Sequence, residues 1–136
     1  MRIKFKGNIV EFNIGKADYA RTFGEDVTDS LVQYDPKSNT VTVDERCSAF
    51  YAKYAGIHEC ICCGRYKNIA PYSVDPLMRC ANIDKMIIDT MSDVEKKIYA
   101  SKRIEMFSTL LEKNLNPEMN PQFENSLNML KSLKIA

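Results

Sequence analysis

Residues 48–64 read SAFYAKYAGIHECICCG, and this stretch decides how the rest of the chain is interpreted. Ser48 is a residue type that caps helix N-termini, and Gly64 stands where a glycine commonly ends a helix. The sequence therefore predicts a helix from Ser48 to Cys63. Successive residues of a helix are about 100° apart, so its residues fall into faces. One predicted face carries Tyr51, Tyr54, Ala55, His58 and Cys62, and another carries Phe50, Ile57 and Ile61.

The predicted helix carries residues that bind metals. His58, the only histidine of the chain, precedes Cys62 by four residues, which places both side chains on one helix face, close enough to bind the same ion. Glu59 occupies the position at which the zinc-hydrolase motif H-E-x-x-H carries its general base. Here the motif reads H-E-C-I-C, with Cys62 in place of the second histidine. A thiolate is a sound zinc ligand, although it should make a bound water less acidic than imidazole does. The pattern predicts a Zn2+ site that includes His58 and Cys62.

The same residues also fit structural roles. Cysteine is among the most buried residue types, and a histidine–glutamate pair on a helix is common, so His58 and Glu59 also fit roles as a hydrogen-bonded histidine and a solvated carboxylate. Cys60 and Cys63 form a C-x-x-C pair, which is a redox motif in some proteins. This pair lies at a helix end, however, where the helix dipole disfavours thiolate.

Composition limits the function classes. A chain of 136 residues predicts a single domain over residues 1–136, and 45% hydrophobic with 27% charged residues is ordinary for a globular protein. The net charge of +1 argues against nucleic acid as a partner. No apolar run approaches the ~20 residues of a membrane span, and the first residues do not resemble a signal peptide. We therefore expect a cytoplasmic protein with no membrane partner. Its five cysteines are an odd number, and three of them fall within the four positions 60–63, which favours reduced thiols or metal ligands over disulfides.

Patterns before the motif helix predict strands. RIKFK and NIVEFNI alternate apolar and polar residues around Gly7-Asn8, which predicts a two-stranded hairpin. Turn-forming residues at 35–39 precede a β-branched run, which predicts a strand at about 40–44. Residues 16–34 are ambiguous and hint at a short helix.

Patterns after the motif helix predict further helices. One runs from Asp75 or Pro76 to about Thr90, and the next from Ser92, with a capping box to Glu95, to about Lys113. Asn120-Pro121 opens a last helix. The predicted core positions of these helices are Leu77, Cys80, Ile83, Ile87, Val94, Ile98, Ile104, Phe107, Leu110, Leu111, Phe123, Leu127 and Leu130. The predicted fold class is α+β, with a small antiparallel-rich sheet packed on the motif helix and two or three further helices.

The order of hairpin, loop, NTVTVDE and a helix with HECIC resembles the small gluzincin-like metallopeptidase domains (zincins of the H-E-x-x-H type) of bacteria and phages. The resemblance covers roughly residues 1–115, and Cys62 departs from its motif. It implies a zinc-dependent hydrolase in which Glu59 deprotonates a metal-activated water for attack on the peptide bond of a peptide or protein substrate. It also implies a glutamate on a following helix as third metal ligand, for which Glu95 is the best candidate. Cys80, on the intervening helix, competes with Glu95 or joins it.

A second hypothesis comes from a different class of function. On it, the chain is a non-catalytic interaction protein with a zincin-like scaffold, in which zinc is structural or absent and the C-terminal helix binds another protein. The number of ligands separates the two hypotheses, because three protein ligands leave a position open for catalysis and four close the site. The substrate and the oligomeric state stay open.

Overall fold

A computed structural model describes residues 1–17, 32–64, 66, 69, 75–114 and 117–133. The chain divides into two compact units, Met1–Tyr72 and Ser73–Ala136, and each is described by itself. Strands and helices are both present, which confirms the predicted α+β class. The single domain over residues 1–136 stays a prediction.

The first unit opens with the predicted hairpin. Strands β1 (Arg2–Phe5) and β2 (Asn8–Glu11) pair antiparallel, with Ile3 opposite Val10. The turn is centred on Lys6 and Gly7, one residue earlier than predicted, and both have positive φ angles of 47° and 81°. Two positive φ angles suit the right-handed twist of the strands, and glycine adopts one without steric cost.

A three-stranded sheet follows, and it differs from the sequence interpretation. The run NIVEFNI was interpreted as one strand, but it divides after Phe12, whose backbone N–H still donates to the carbonyl of Met1 at 3.0 Å. Strand β3 (Asn13–Gly15) then pairs in parallel with β5 (Thr40–Asp44). The strand predicted at 40–44 is confirmed as β5. Strand β4 (Val32–Asp35), which was not predicted, pairs antiparallel with β5.

Turn chemistry connects β4 to β5 as the sequence indicated. The backbone N–H of Lys37 donates to Asp35 Oδ1 at 2.9 Å, and this hydrogen bond lowers the pKa of the Asp35 carboxyl. Asn39 has a positive φ of 53°, which asparagine tolerates better than most residues. Most of the ambiguous segment 16–34, namely residues 18–31, lies outside the described residues.

The motif helix, α1 (Ala49–Cys62), has the predicted ends. Ser48 accepts a hydrogen bond from the backbone N–H of Tyr51 at 3.3 Å, and Gly64 has a φ of 90° after the last turn. The helix packs against β5, β4 and β2. Its buried residues lie on most of its circumference, as expected for an apolar helix in a protein interior.

The second unit is helical where it is described. It consists of α2 (Arg79–Ile88), α3 (Asp93–Lys113), a 3-10 turn (Pro117–Met119) and α4 (Asn120–Ser132). Helix α4 packs against both α2 and α3. None of the helices in the described ranges is both long and apolar enough to span a bilayer.

Some ends of these helices agree with the sequence prediction and others do not. The capping box of Ser92 and Glu95 at the start of α3 is confirmed. Helix α2 begins later than predicted, because Asp75 Oδ1 accepts from the backbone N–H of Leu77 and holds the preceding residues in a turn. The expected cap Asn120 is the first residue of α4, and Met119 of the 3-10 turn takes the cap position.

The core of the second unit confirms part of the prediction. Phe107 of α3 and Phe123 of α4 are both buried, and their ring centroids are 5.7 Å apart. Three other predicted core residues, Leu77, Val94 and Ile98, are 49%, 70% and 47% exposed, so these assignments were wrong. Apolar character alone suggested them, but Leu77 lies in the turn before α2. Val94 and Ile98 lie off the buried stripe of α3.

Candidate metal centre

His58 lies in the interior, near the middle of α1. Its side chain is 3% exposed, and Cys62 follows one helical turn later as the last residue of α1, half-buried. The confirmed helix therefore supplies the i, i+4 relationship on which the metal prediction depends. Coordination of an ion by either residue stays a prediction.

The contacts of α1 fix the direction in which His58 points. A Cβ added to Gly56 would lie 2.5 Å from the ring of Phe12, and Cys60 Sγ donates to the backbone carbonyl of Glu11 at 3.4 Å. Gly56 and Cys60 therefore face the β2–β3 segment. Since His58 is two residues from each of them, its side chain leaves the helix about 200° away, on the side opposite Phe12.

The thiols of this segment have different surroundings. Cys60 and Cys63 are in the reduced form, and Cys63 Sγ donates to the carbonyl of Cys60 at 3.3 Å. Both thiols thus hydrogen-bond to backbone carbonyls, as structural cysteines do. Cys62 lies between them in sequence and shares the face of His58, which makes it the thiol of α1 best placed to join the imidazole.

Glu59, the predicted general base, is half-buried on α1. Viewed along the helix axis, its side chain points about 100° away from that of His58, because the two residues are adjacent in sequence. In this direction the Glu59 carboxylate can lie beside the imidazole of His58 without binding the same ion. Its catalytic role stays a prediction.

Buried side chains of metal-ligating type occur in both units. They are His58 in the first unit and Cys80 and Asp84 in the second, with exposures of 3%, 8% and 0%. Imidazole, thiol and carboxylate groups are the ligands that Zn2+ takes in proteins. Each unit therefore contains buried residues of types that zinc accepts as ligands. All five cysteines are free of disulfides.

Asp84 is the residue that the sequence interpretation missed. It follows Cys80 by four residues on α2, the same spacing as His58 and Cys62, and this spacing was the available signal. Cys80 Sγ and a carboxylate oxygen of Asp84 lie within 4.8 Å of each other. The stripe of Cys80, Ile83 and Ile87 suggested an apolar face, and the polar residue within it was overlooked.

Asp84 already takes part in a buried polar network. Tyr99 Oη donates to Asp84 Oδ1 at 2.7 Å, and Arg103 Nε donates to Asp84 Oδ2 at 3.0 Å. Arg103 Nη2 lies 3.0 Å from the same Oδ2 and 3.9 Å from Cys80 Sγ. The guanidinium also lies 4.9 Å from the centroid of the Phe107 ring. The guanidinium of Arg103 thus balances the negative charge of the buried Asp84 carboxylate. A metal ion bound to Asp84 would share this carboxylate with Arg103.

Glu95, the predicted third ligand, has a structural role in the second unit. Its carboxylate accepts the backbone N–H of Ser92 at 3.0 Å, while its own N–H donates to Ser92 Oγ at 3.3 Å. These two hydrogen bonds are the capping box of α3. A role as metal ligand stays a prediction.

Comparison with known proteins returned no match to a protein-family model, to a curated protein or to a solved structure.

Proposed function

We propose that this protein binds zinc, with His58 and Cys62 as ligands from α1. The observation that carries the proposal is the burial of the only histidine, 3% exposed, one turn before a thiol on a helix whose two ends are both capped. A packed helix holds such a pair in one arrangement, and ligands held in place bind a metal more tightly than mobile ones. Nitrogen and sulfur donors together favour zinc over magnesium or calcium.

The third ligand is proposed to be Glu95, with Cys80 as its competitor. Glu95 is the carboxylate that the zincin resemblance implies, and Cys80 is a buried thiol of a type that zinc accepts. The two choices have different chemical consequences. A site with one thiolate keeps more Lewis acidity, whereas a site with two thiolates is richer in electrons and suits a structural ion better.

In its finer form the proposal is a zincin-like peptidase. Bound zinc would polarise a substrate carbonyl and make a bound water more acidic. Glu59 would accept the proton from that water and pass it to the leaving amine, as a general base that then acts as a general acid. His58 and Cys62 would hold the ion and take no part in proton transfer. The substrate would be a peptide or protein.

Cobalt titration tests the ligand assignment directly. Co2+ occupies zinc sites, and a thiolate ligand gives it an intense charge-transfer absorption in the near ultraviolet. We expect this band in the wild type and its loss in Cys62→Ser. Cys47→Ser is the matched control, because Cys47 is a half-buried thiol of the same unit that precedes α1. A band that survives in Cys62→Ser at the wild-type intensity would remove Cys62 from the ligand set, whereas a weakened band that is lost on further substitution of Cys80 would identify Cys80 as a second thiolate ligand.

Glu59→Gln tests the catalytic part. The substitution keeps the size of the side chain and removes the proton acceptor, so metal content and melting temperature should stay near those of the wild type. Any cleavage of a broad peptide library by the wild type should fall by about 10²–10⁴-fold, which is the contribution of general-base catalysis. Suppose the wild type cleaves no peptide and Glu59→Gln loses stability. The carboxylate is then structural, and the non-catalytic hypothesis replaces the peptidase.

A further inference from the structure

The second unit contains a groove between α3 and α4 with a volume of about 320 Å³. Its apolar lining comes from Ala100 and Ile104 of α3, Leu130 of α4, and Leu133 just beyond α4. Ile104 and Leu133 are only half-buried, so apolar surface remains available to a further side chain. A volume of this size lies at the lower end of the range for ligand-binding clefts.

The groove is positively charged at its margins. Lys97 of α3 and Lys131 of α4 both line it, and both are exposed. None of the described residues that line the groove is acidic. A ligand with apolar side chains flanked by carboxylates would complement both the lining and the margins.

We propose that this groove binds an acidic amphipathic helix of a partner protein. A helix fits because apolar side chains spaced by three, four and seven residues can enter a groove between two helices. Extended peptides usually add to a sheet edge, and the described part of the second unit has no strand. The partner's aspartates and glutamates pair with Lys97 and Lys131. The proposal is independent of zinc, since neither the groove nor its margins include a proposed ligand.

The test uses displayed helical peptides of about 16 residues, a length at which isolated helices become marginally stable. One library places leucine at i, i+4, i+7 and i+11 with glutamate on the flanking positions, and the matched library replaces each glutamate with lysine. We expect the full chain to select peptides from the glutamate library only. Selection from neither library, or equal selection from both, would overturn the proposal.

Charge reversal then locates the binding surface. Fluorescence anisotropy of a selected peptide should show at least about tenfold weaker binding to Lys97→Glu/Lys131→Glu, since each reversal replaces an attraction by a repulsion. The control, Lys85→Glu, changes an exposed lysine of α2 outside the groove and should bind as the wild type does. The double variant should in turn bind a lysine-flanked version of the peptide. Unchanged binding to the double variant would overturn the proposal.

Sedimentation velocity separates a partner helix from a second copy of the chain. We expect the wild type and Lys97→Glu/Lys131→Glu to sediment alike. A wild-type dimer that the double variant abolishes would make a second copy the occupant and would overturn the proposal.

Discussion

Arg103 of α3 and Asp84 of α2 form an ion pair in the interior of the second unit. Arg103 Nε and Nη2 each lie 3.0 Å from Asp84 Oδ2, and the two side chains are 5% and 0% exposed. The pair joins the helix that carries Cys80 to the long helix α3. Burying two charges costs free energy, and their attraction offsets this cost only while both are present.

Removal of one partner of this pair should be strongly destabilising. Arg103→Met leaves a buried carboxylate without its cation and should lower the free energy of unfolding by about 3–5 kcal/mol. The triple variant Asp84→Leu/Tyr99→Phe/Arg103→Met removes all three polar side chains and should cost less than Arg103→Met alone. Urea denaturation of both variants checks this. A triple variant that is less stable than Arg103→Met would show that the cost does not come from an unpaired buried charge.

Because Gly56 packs closely against Phe12, we expect that adding a methyl group at position 56 lowers the free energy of unfolding. A Cβ at position 56 would lie 2.5 Å from two carbons of the buried Phe12 ring. Overpacking of this kind costs about 1–3 kcal/mol, against a gain of about 1 kcal/mol in helix propensity for alanine. We expect Gly56→Ala to be destabilised by up to about 2 kcal/mol in urea denaturation.

Two further variants separate the clash from a general effect of alanine. Gly15→Ala is the matched control, because its Cβ would meet only Thr42 Cγ2 at an ordinary 3.8 Å. Phe12→Leu should recover part of the stability lost by Gly56→Ala, since the smaller side chain makes room for the methyl group. If the Gly56→Ala variant were more stable than the wild type, this account of the α1 packing would be contradicted.

Local signals explain what could be predicted from the sequence. The ends of α1 depend on Ser48 and Gly64, and the start of α3 depends on Ser92 and Glu95, all of which act within a few residues of themselves. The hairpin of β1 and β2 likewise follows from alternation around a short turn. Such features depend on hydrogen bonds between residues that are close in sequence, so a short sequence pattern is enough to predict them.

Long-range packing explains what could not be predicted. The parallel pairing of β3 with β5 joins segments about 30 residues apart, and no local pattern records it. The Phe12 ring packs on Gly56 of α1, a contact between residues far apart in sequence that no local pattern predicts. His58 and Cys62 could be predicted as candidate metal ligands because the spacing between them on α1 is local. Asp84 was overlooked although its spacing from Cys80 is local, and its hydrogen bonds to Tyr99 and Arg103, more than a dozen residues away, have no local signal.

Glu95 can be tested as a ligand without breaking its cap. Glutamine also completes a capping box, so Glu95→Gln should keep the stability of the wild type, whereas Ser92→Ala should cost about 1 kcal/mol. If Glu95 binds zinc, Glu95→Gln lowers zinc affinity while Glu105→Gln, an exposed position on the same helix, does not. Competition with a chromophoric chelator measures the affinities. Unchanged affinity in Glu95→Gln together with loss of binding in Cys80→Ser would assign the third position to Cys80.

Elemental analysis of protein purified without added metal tests the central claim most directly. We expect about one zinc per chain in the wild type and in Cys47→Ser, and loss of most of it in both His58→Ala and Cys62→Ser. Circular dichroism of each variant shows whether the helices persist, so that a loss of metal is not confused with unfolding. A wild type that carries no zinc and takes up none on addition, or a folded His58→Ala that retains the full amount, would contradict the proposal that His58 and Cys62 form a metal centre.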